Sequence, residues 1–279
     1  MKKRRLIPVL LLKNGVLVKS KRFSRYQQLG NPVTAVKRLS EWACDELIYL
    51  DITKEGMHDL KRDDLAFNNR NNILEIINDI ANVNFMPITV GGKITDLKGI
   101  EQRLTAGADK ISVNSITLRN PQFINLAAKE FGSQCIVVSI DYMRVDGIAF
   151  VYCHQTKTII NKTVLDWVKE VTSQGAGEIL INSVERDGMQ TGYDIPLLAE
   201  ISQAVSIPII ACGGVGEWEH FAQALENTQV DAVAAANIFH YSDQSVYLAK
   251  KYLYERKYLV RYPELLKIDL MKELENEIL

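Results

Sequence analysis

The chain has 279 residues, 47% of them apolar and 24% charged, which suits a water-soluble globular protein of one large domain or two ordinary ones. A formal net charge of −1 gives no overall field for nucleic acid or an anionic membrane, and no apolar stretch nears the roughly 20 residues of a membrane helix. The four cysteines (Cys44, Cys135, Cys153, Cys212) are scattered without a CxxC pair, which points to reduced thiols in a cytoplasmic protein and away from a metal site.

The basic start, Met-Lys-Lys-Arg-Arg, precedes an apolar run too short for a signal peptide, and no small-residue cleavage site follows. That run therefore reads as a first strand. It is one of eight: residues 6–12, 47–52, 86–90, 110–113, 135–140, 179–184, 208–212 and 231–236. Each is short, rich in Ile and Val, and lacks strict alternation, as expected of strands buried on both faces. Helical periodicity fills the gaps, as in Pro32–Ala43, Asn72–Ala81, Pro121–Phe131, Thr163–Gln174, Ile195–Val205 and Glu217–Glu226. Pro32, Pro121 and Pro196 mark helix starts, with Asn31, Asn120 and Asp194 as candidate caps. This alternation predicts an α/β fold, a parallel (β/α)8 TIM barrel over residues 1–256 followed by a helical tail over 257–279. A doubly wound open sheet is the alternative, but no glycine-rich dinucleotide turn follows the first run.

The sequence also repeats. Met86-Pro87-Ile88-Thr89-Val90-Gly91-Gly92 resembles Ile207-Pro208-Ile209-Ile210-Ala211-Cys212-Gly213-Gly214. Gly91 and Gly213 stand 122 positions apart, as do Asp109 and Asp231, so two half-barrels of four units each are expected. Two segments fall outside the repeat. Residues 54–71, which include His58, read as a long loop of the kind that closes over a substrate, and Lys267–Leu279 has helical periodicity.

Glycine pairs after two equivalent strands let backbone N–H groups approach an anion closely, so Gly91-Gly92 and Gly213-Gly214 suggest a ligand with a phosphate at each end; tight turns without a ligand are the plainer reading. Asp141 ends the fifth run, at the carboxyl end where barrel sites lie, and is a candidate general acid or base, or a structural hydrogen-bonding group. Asp51 ends the second run, with Thr53 making a turn role plausible. Asp187-Gly188 could bind a substrate hydroxyl or form a turn. The equivalent of Asp141 in the first run is Leu11, a hydrocarbon where a proton-transfer pair would want its second carboxylate. Arg5, Glu46, Lys110 and Glu178 start four of the runs and should meet at the amino-terminal mouth, as a stabilising ring or as a gate. His154, His220 and His240 have no ligand spacing and read as surface or packing residues, as do Trp42, Trp167 and Trp218 in the outer layer.

Together the strings Asp45-Glu46-Leu47-Ile48-Tyr49-Leu50-Asp51-Ile52, Gly107-Ala108-Asp109-Lys110-Ile111-Ser112-Val113-Asn114, Gly175-Ala176-Gly177-Glu178-Ile179-Leu180 and Arg186-Asp187-Gly188 resemble the HisA/HisF family of phosphate-binding barrels, and its HisF branch most closely, from Arg4 to Tyr252. The resemblance implies the cyclase subunit of an imidazole glycerol phosphate synthase, a lyase-type activity of histidine biosynthesis. It implies a HisH-like glutaminase docked on the amino-terminal face, ammonia passing through the barrel, and a small substrate carrying two phosphates. It assigns the gate to Arg5, Glu46, Lys110 and Glu178, catalysis to Asp141, and phosphate binding to Gly92, Asn114, Ser115, Asp187, Gly188, Gly213, Gly214, Ala236 and Asn237. It calls for no cofactor, metal, nucleic acid or membrane. The chain departs from the family at Leu11, which stands for the first catalytic Asp, and at Lys93, Cys212 and Asn237, which replace a glycine and two serines. Divergent relatives in surface-polysaccharide synthesis, whose first strand is similar, imply another role: supplying ammonia to a sugar amidotransferase that makes acetamidino groups. A non-catalytic activator of the glutaminase is a third possibility.

Overall fold

The computed structural model describes residues 2–53, 72–84 and 86–265. β1 (Arg5–Lys13) runs into a hairpin of β2 (Val16–Lys21) and β3 (Arg25–Gly30). α1 (Pro32–Glu41), β4 (Leu47–Asp51), α2 (Ile73–Ala81), β5 (Ile88–Gly91), α3 (Leu97–Thr105), β6 (Lys110–Val113), α4 (Ser115–Arg119) and α5 (Gln122–Phe131) complete the first half. The second half opens with β7 (Ile136–Val145) and a hairpin of its own, β8 (Ile148–Cys153) and β9 (Thr158–Thr163). α6 (Val164–Ser173), β10 (Glu178–Ser183), α7 (Ile195–Ala204), β11 (Ile209–Cys212), α8 (Trp218–Asn227), β12 (Ala232–Ala235) and α9 (Ser245–Glu255) follow.

β1, β4, β5, β6, β7, β10, β11 and β12 pair in that cyclic order, all parallel, and β1 closes on β12. The sheet is therefore a closed (β/α)8 barrel, not an open doubly wound sheet. Two apolar layers hold it. Ile7, Val9, Ile48, Val137, Leu180, Ile210, Ala232 and Ala234 fill the interior. A larger layer, with Trp167 and Phe221 fully buried in it, fills the space between strands and helices. Burial on both faces explains why the strands read as continuous apolar runs.

The repeat has a mechanical meaning. Asp109 accepts from Ile88 N at 2.8 Å and Asp231 accepts from Ile209 N at 3.2 Å, so each aspartate pins the start of the preceding strand in its own half. Asn31 caps α1, accepting from Val33 N at 2.8 Å, and Asp194 caps α7. Asn120 does not cap α5: it ends the short α4 in an extended backbone, and Pro121 takes the cap position without a side-chain bond.

Both hairpins were absent from the reading of the eight runs. Each is entered from its barrel strand through a two-residue turn, Asn14-Gly15 (φ 51° and 83°) from β1 and Asp146-Gly147 (φ 49° and 82°) from β7, joining the pairs Lys13–Val16 and Val145–Ile148. Asn-Gly and Asp-Gly are the dipeptides that accept two successive positive φ values. The hairpins thus follow β1 and β7, the first strand of each half. At the opposite rim, Arg4 N donates to Leu259 O at 2.6 Å and Arg261 Nε lies 3.4 Å from Asp45, tying residues past α9 to the barrel's foot. The loop expected over 54–71, with His58, and the tail helix expected over 267–279 lie outside the described residues.

Candidate active site

Side chains alternate along a strand, so every second residue of a barrel strand shares the interior. On β1 that file is Arg5, Ile7, Val9 and Leu11. Corresponding files run from Glu46 to Leu50 on β4, from Lys110 toward Asn114 on β6, and from Glu178 to Asn182 on β10. The lower ends are charged and the upper ends line a cavity, four to six residues or roughly 13–20 Å further along the strands at about 3.3 Å per residue.

At the foot, Arg5 Nη1 donates to Glu46 at 2.6 Å and its Nη2 donates to Glu178. Lys110 Nζ lies 2.9 Å from Glu46 and 3.0 Å from Glu178. The four side chains form a closed ring of alternating sign. The carboxylates are only 3% and 5% exposed, the cations 22% each. Thr89 Oγ1 also donates to Glu46, at 2.9 Å. Burial works against the Arg5 cation, but the two glutamates outweigh it and raise its pKa. Two buried carboxylates with two cations form a stable arrangement because each charge has opposite neighbours.

At the top lies a cavity of about 610 Å³. Leu11, Asp141, Asn182 and both glycine turns line it. Asp141 is nearly buried and accepts from Asn114 Nδ2 at 2.8 Å. Burial pushes its carboxyl up to about 7, nearby Asp187 adds to the rise, and the bonds from Asn114 and Asn182 oppose it. An acid with that pKa can give and take a proton at neutral pH. Leu11 is paired with Leu50 on β4 and presents only hydrocarbon to the same space.

The two glycine turns are near copies. Gly92 has φ 104° and Gly214 φ 105°. A Cβ at Gly92 would fall 2.1 Å from the Asp51 carbonyl oxygen, and one at Gly214 would fall 2.1 Å from that of Gly192. Only glycine fits either place. Asn114 and Ser115, at the start of α4, and Ala236 and Asn237, after β12, bring two further backbone turns to the cavity. Each half of the repeat therefore brings a glycine turn and a second backbone turn to the same cavity.

The hairpin after β1 is fastened to the second half. Ser20 Oγ donates to Asp187, and Phe23 N donates to the same carboxylate at 3.2 Å. Asn237 Nδ2 donates to Ser20 O at 2.7 Å and its Oδ1 accepts from Ser20 N at 3.3 Å. The side chains of Asp187 and Asn237, two residues of the cavity lining, are thus occupied in holding this hairpin. A Cβ at Gly188 would strike the Ser20 carbonyl at 2.4 Å, so that glycine belongs to the same seam. Asp51 combines cavity lining with a turn bond, accepting from Thr53 N at 2.9 Å. Over the mouth the two hairpins meet: Phe23 packs edge-on against His154 with ring centroids 5.6 Å apart.

His154 thus has the packing role read from its spacing and also belongs to the cavity wall, which was not read. Lys93, named from the resemblance as a departure at the first glycine turn, lines the cavity; Arg119, Phe23 and Tyr26 also line it and were not singled out for it. The Asn-Gly and Asp-Gly turns carried the signal for Phe23, Tyr26 and His154, since a hairpin after a barrel strand must project over the mouth. Cys212 lines the cavity as a neutral thiol, its pKa pushed up to about 12 chiefly by burial and then by Asp187.

A family model described as histidine biosynthesis protein matches residues 5–245. The HisF subunit of imidazole glycerol phosphate synthase from Streptococcus sanguinis strain SK36 is 41% identical over 252 residues, covering 90% of this chain and 96% of the relative. The subunit of the same name from Hydrogenobaculum sp. strain Y04AAS1 is 41% identical over 259 residues, covering 92% and 98%. The chain belongs to the HisA/HisF family. It falls in the HisF branch, and the matched span includes both ends of the barrel axis, the charge ring and the cavity. No helix among the described residues is long and apolar enough to cross a membrane.

Proposed function

We propose that the chain is the ammonia-accepting synthase subunit of a glutamine-dependent complex of the imidazole glycerol phosphate synthase type. The observation that carries this is the coaxial arrangement: a closed ring of Arg5, Glu46, Lys110 and Glu178 at the foot, and a two-cupped cavity at the top of the same barrel. A HisH-like glutaminase docks on the amino-terminal face and releases ammonia against the ring. The ring opens by parting one ion pair, and ammonia passes up the interior. The cups of Gly92 with Asn114 and Ser115, and of Gly213 and Gly214 with Ala236 and Asn237, hold the two phosphates of a ribulosyl aminoimidazole nucleotide. Asp141, titrating at about 7, exchanges protons as ammonia adds and the ring closes, giving imidazole glycerol phosphate and an aminoimidazole carboxamide ribotide.

Leu11 supports a second reading of the same site. Removing one partner of a proton-transfer pair costs on the order of 10²–10⁴ in rate, and no pKa shift restores a proton to a hydrocarbon. In this reading the ring and conduit serve a sugar amidotransferase that converts an N-acetyl group to an acetamidino group, and cyclisation is slow.

The test for the shared part is to mix the purified chain with a HisH-type glutaminase and follow hydrolysis of amide-labelled ¹⁵N-glutamine. Complex formation together with stimulated hydrolysis, reduced by Glu178→Gln, is expected. A chain that neither binds nor stimulates any HisH-type glutaminase offered, while retaining its fold by circular dichroism, would overturn the proposal.

A further inference from the structure

Arg103 is a charged residue buried where a helix normally packs with hydrocarbon. It lies in α3, is 6% exposed, and its guanidinium points at the underside of the first glycine turn. Nη2 donates to Gly92 O at 2.8 Å and Nη1 donates to Gly99 O at 2.8 Å. Its Nε is buried and has no hydrogen-bond partner. Burial disfavours the cation, while the Asp51 and Asp96 carboxylates favour it. A buried arginine spending its donors on two backbone carbonyls is poor economy for stability alone, because desolvation costs as much as such bonds return.

The consequence falls on the turn. Drawing the Gly92 carbonyl toward Arg103 fixes the peptide plane between Gly92 and Lys93, two residues of the cavity lining, so the N–H of that peptide points the opposite way, away from Arg103. Lys93 holds φ 54°, a left-handed conformation that a side-chain-bearing residue adopts only when its surroundings impose it. The equivalent turn of the other half lacks this device: the Gly214 carbonyl instead accepts from Gly192 N at 2.8 Å, a neutral donor. A guanidinium thus bonds the turn carbonyl directly in the first half, and only at one remove in the second, where Arg186 Nη1 donates to Gly192 O at 3.2 Å.

We infer that Arg103 is a positioning residue for anion binding: it locks the Gly91-Gly92-Lys93 turn with its N–H groups facing the cavity and places a buried positive charge behind that cup, making it the tighter of the two. This rests on the reading that both glycine turns hold phosphate.

The experiment uses the full chain, ¹⁵N-labelled, with inorganic phosphate as the probe. Amide shifts of Gly92 and Lys93 report the first cup, and those of Gly213 and Gly214 the second, each giving its own Kd. Wild type is expected to bind at both, more tightly at the first. Arg103→Met should weaken the first cup about tenfold, the size of one charge-assisted hydrogen bond, and leave the second within twofold. Arg103→Lys, which keeps the charge and can reach one carbonyl, should recover part of the loss. Unchanged first-cup affinity in Arg103→Met, even with a lowered melting temperature, would make Arg103 a structural strut and overturn the inference. Equal weakening at both cups would do the same, since it signals a global change. Absence of phosphate shifts at both turns in wild type would instead sink the two-cup reading itself.

Discussion

Lys110→Met opens the ring at one corner, and the structure sets the cost. Lys110 Nζ stands 2.9 and 3.1 Å from the two Glu46 oxygens and 3.0 Å from Glu178. Without it, two carboxylates that are 3% and 5% exposed face one another with Arg5 as the shared cation. Breaking a buried pair by removing one partner costs about 3–5 kcal/mol, and the partial exposure of Lys110 favours the lower figure. At about 2–4 °C per kcal/mol for a chain of this size, the melting temperature at pH 7.5 should fall by roughly 6–12 °C. Adding Glu178→Gln removes the orphaned charge and should return at least half of that loss. In the complex, glutamine-dependent activity should fall further than ammonium-dependent activity, because dissolved ammonia need not pass the ring. A single variant melting within 2 °C of wild type, with both activities reduced equally, would refute the ring as either a strong electrostatic unit or a gate.

Asp141→Asn should show a pH-dependent gain in stability. The folded chain keeps the Asp141 proton up to about 7, whereas the unfolded chain loses it near the ordinary 3.8. Between those values the folded state binds more protons, so wild-type stability from this group falls as pH rises, and the cost, on the order of 4 kcal/mol, is complete above 7. The variant should therefore match wild type at pH 4 and melt several degrees higher at pH 8; equal melting curves across that range would remove the raised pKa. Gly214→Ala brings a methyl group to 2.1 Å from the Gly192 carbonyl, and should cost at least 2 kcal/mol and abolish phosphate-induced shifts at the second cup. Unimpaired phosphate binding there would mean that the Gly214 backbone does not shape the binding site. Ser20→Ala removes one of the two hairpin donors to Asp187, leaving Phe23 N, and faster amide exchange in β2 and β3 is expected; unchanged exchange would place the seam's strength in the Phe23 and Asn237 bonds.

The barrel was legible because parallel strands covered on both faces leave uninterrupted Ile- and Val-rich runs, and the half-chain repeat with no dinucleotide turn after the first run favoured closure over an open sheet. The ring was legible from position: Arg5, Glu46, Lys110 and Glu178 each begin a run, and closure brings all beginnings to one rim. The hairpins escaped because β3 and β9 are largely exposed and polar and β2 is half polar, while β8, though apolar throughout, alternates buried and less buried positions instead of showing the continuous burial of a barrel strand. The chemistry that sits on them escaped too, including His154 over the mouth. Arg103 was invisible for another reason. In a helical segment an arginine reads as solvent-facing, and only the fold reveals that this one faces a glycine turn. Asn237 was legible as a site residue but not in its manner of acting, because its partner Ser20 lies 217 residues away.

The most direct measurement is ammonium-driven turnover of the ribulosyl aminoimidazole nucleotide by wild type and by Leu11→Asp, at saturating substrate and pH 8. The account expects both proteins to bind the nucleotide with similar affinity and the variant to turn it over about 10²–10⁴ times faster, as a second proton carrier is restored opposite Asp141. Equal rates, or a wild type that already cyclises at the variant's speed, would contradict the claim that this barrel is a complete phosphate-holding, ammonia-fed site missing one carboxylate.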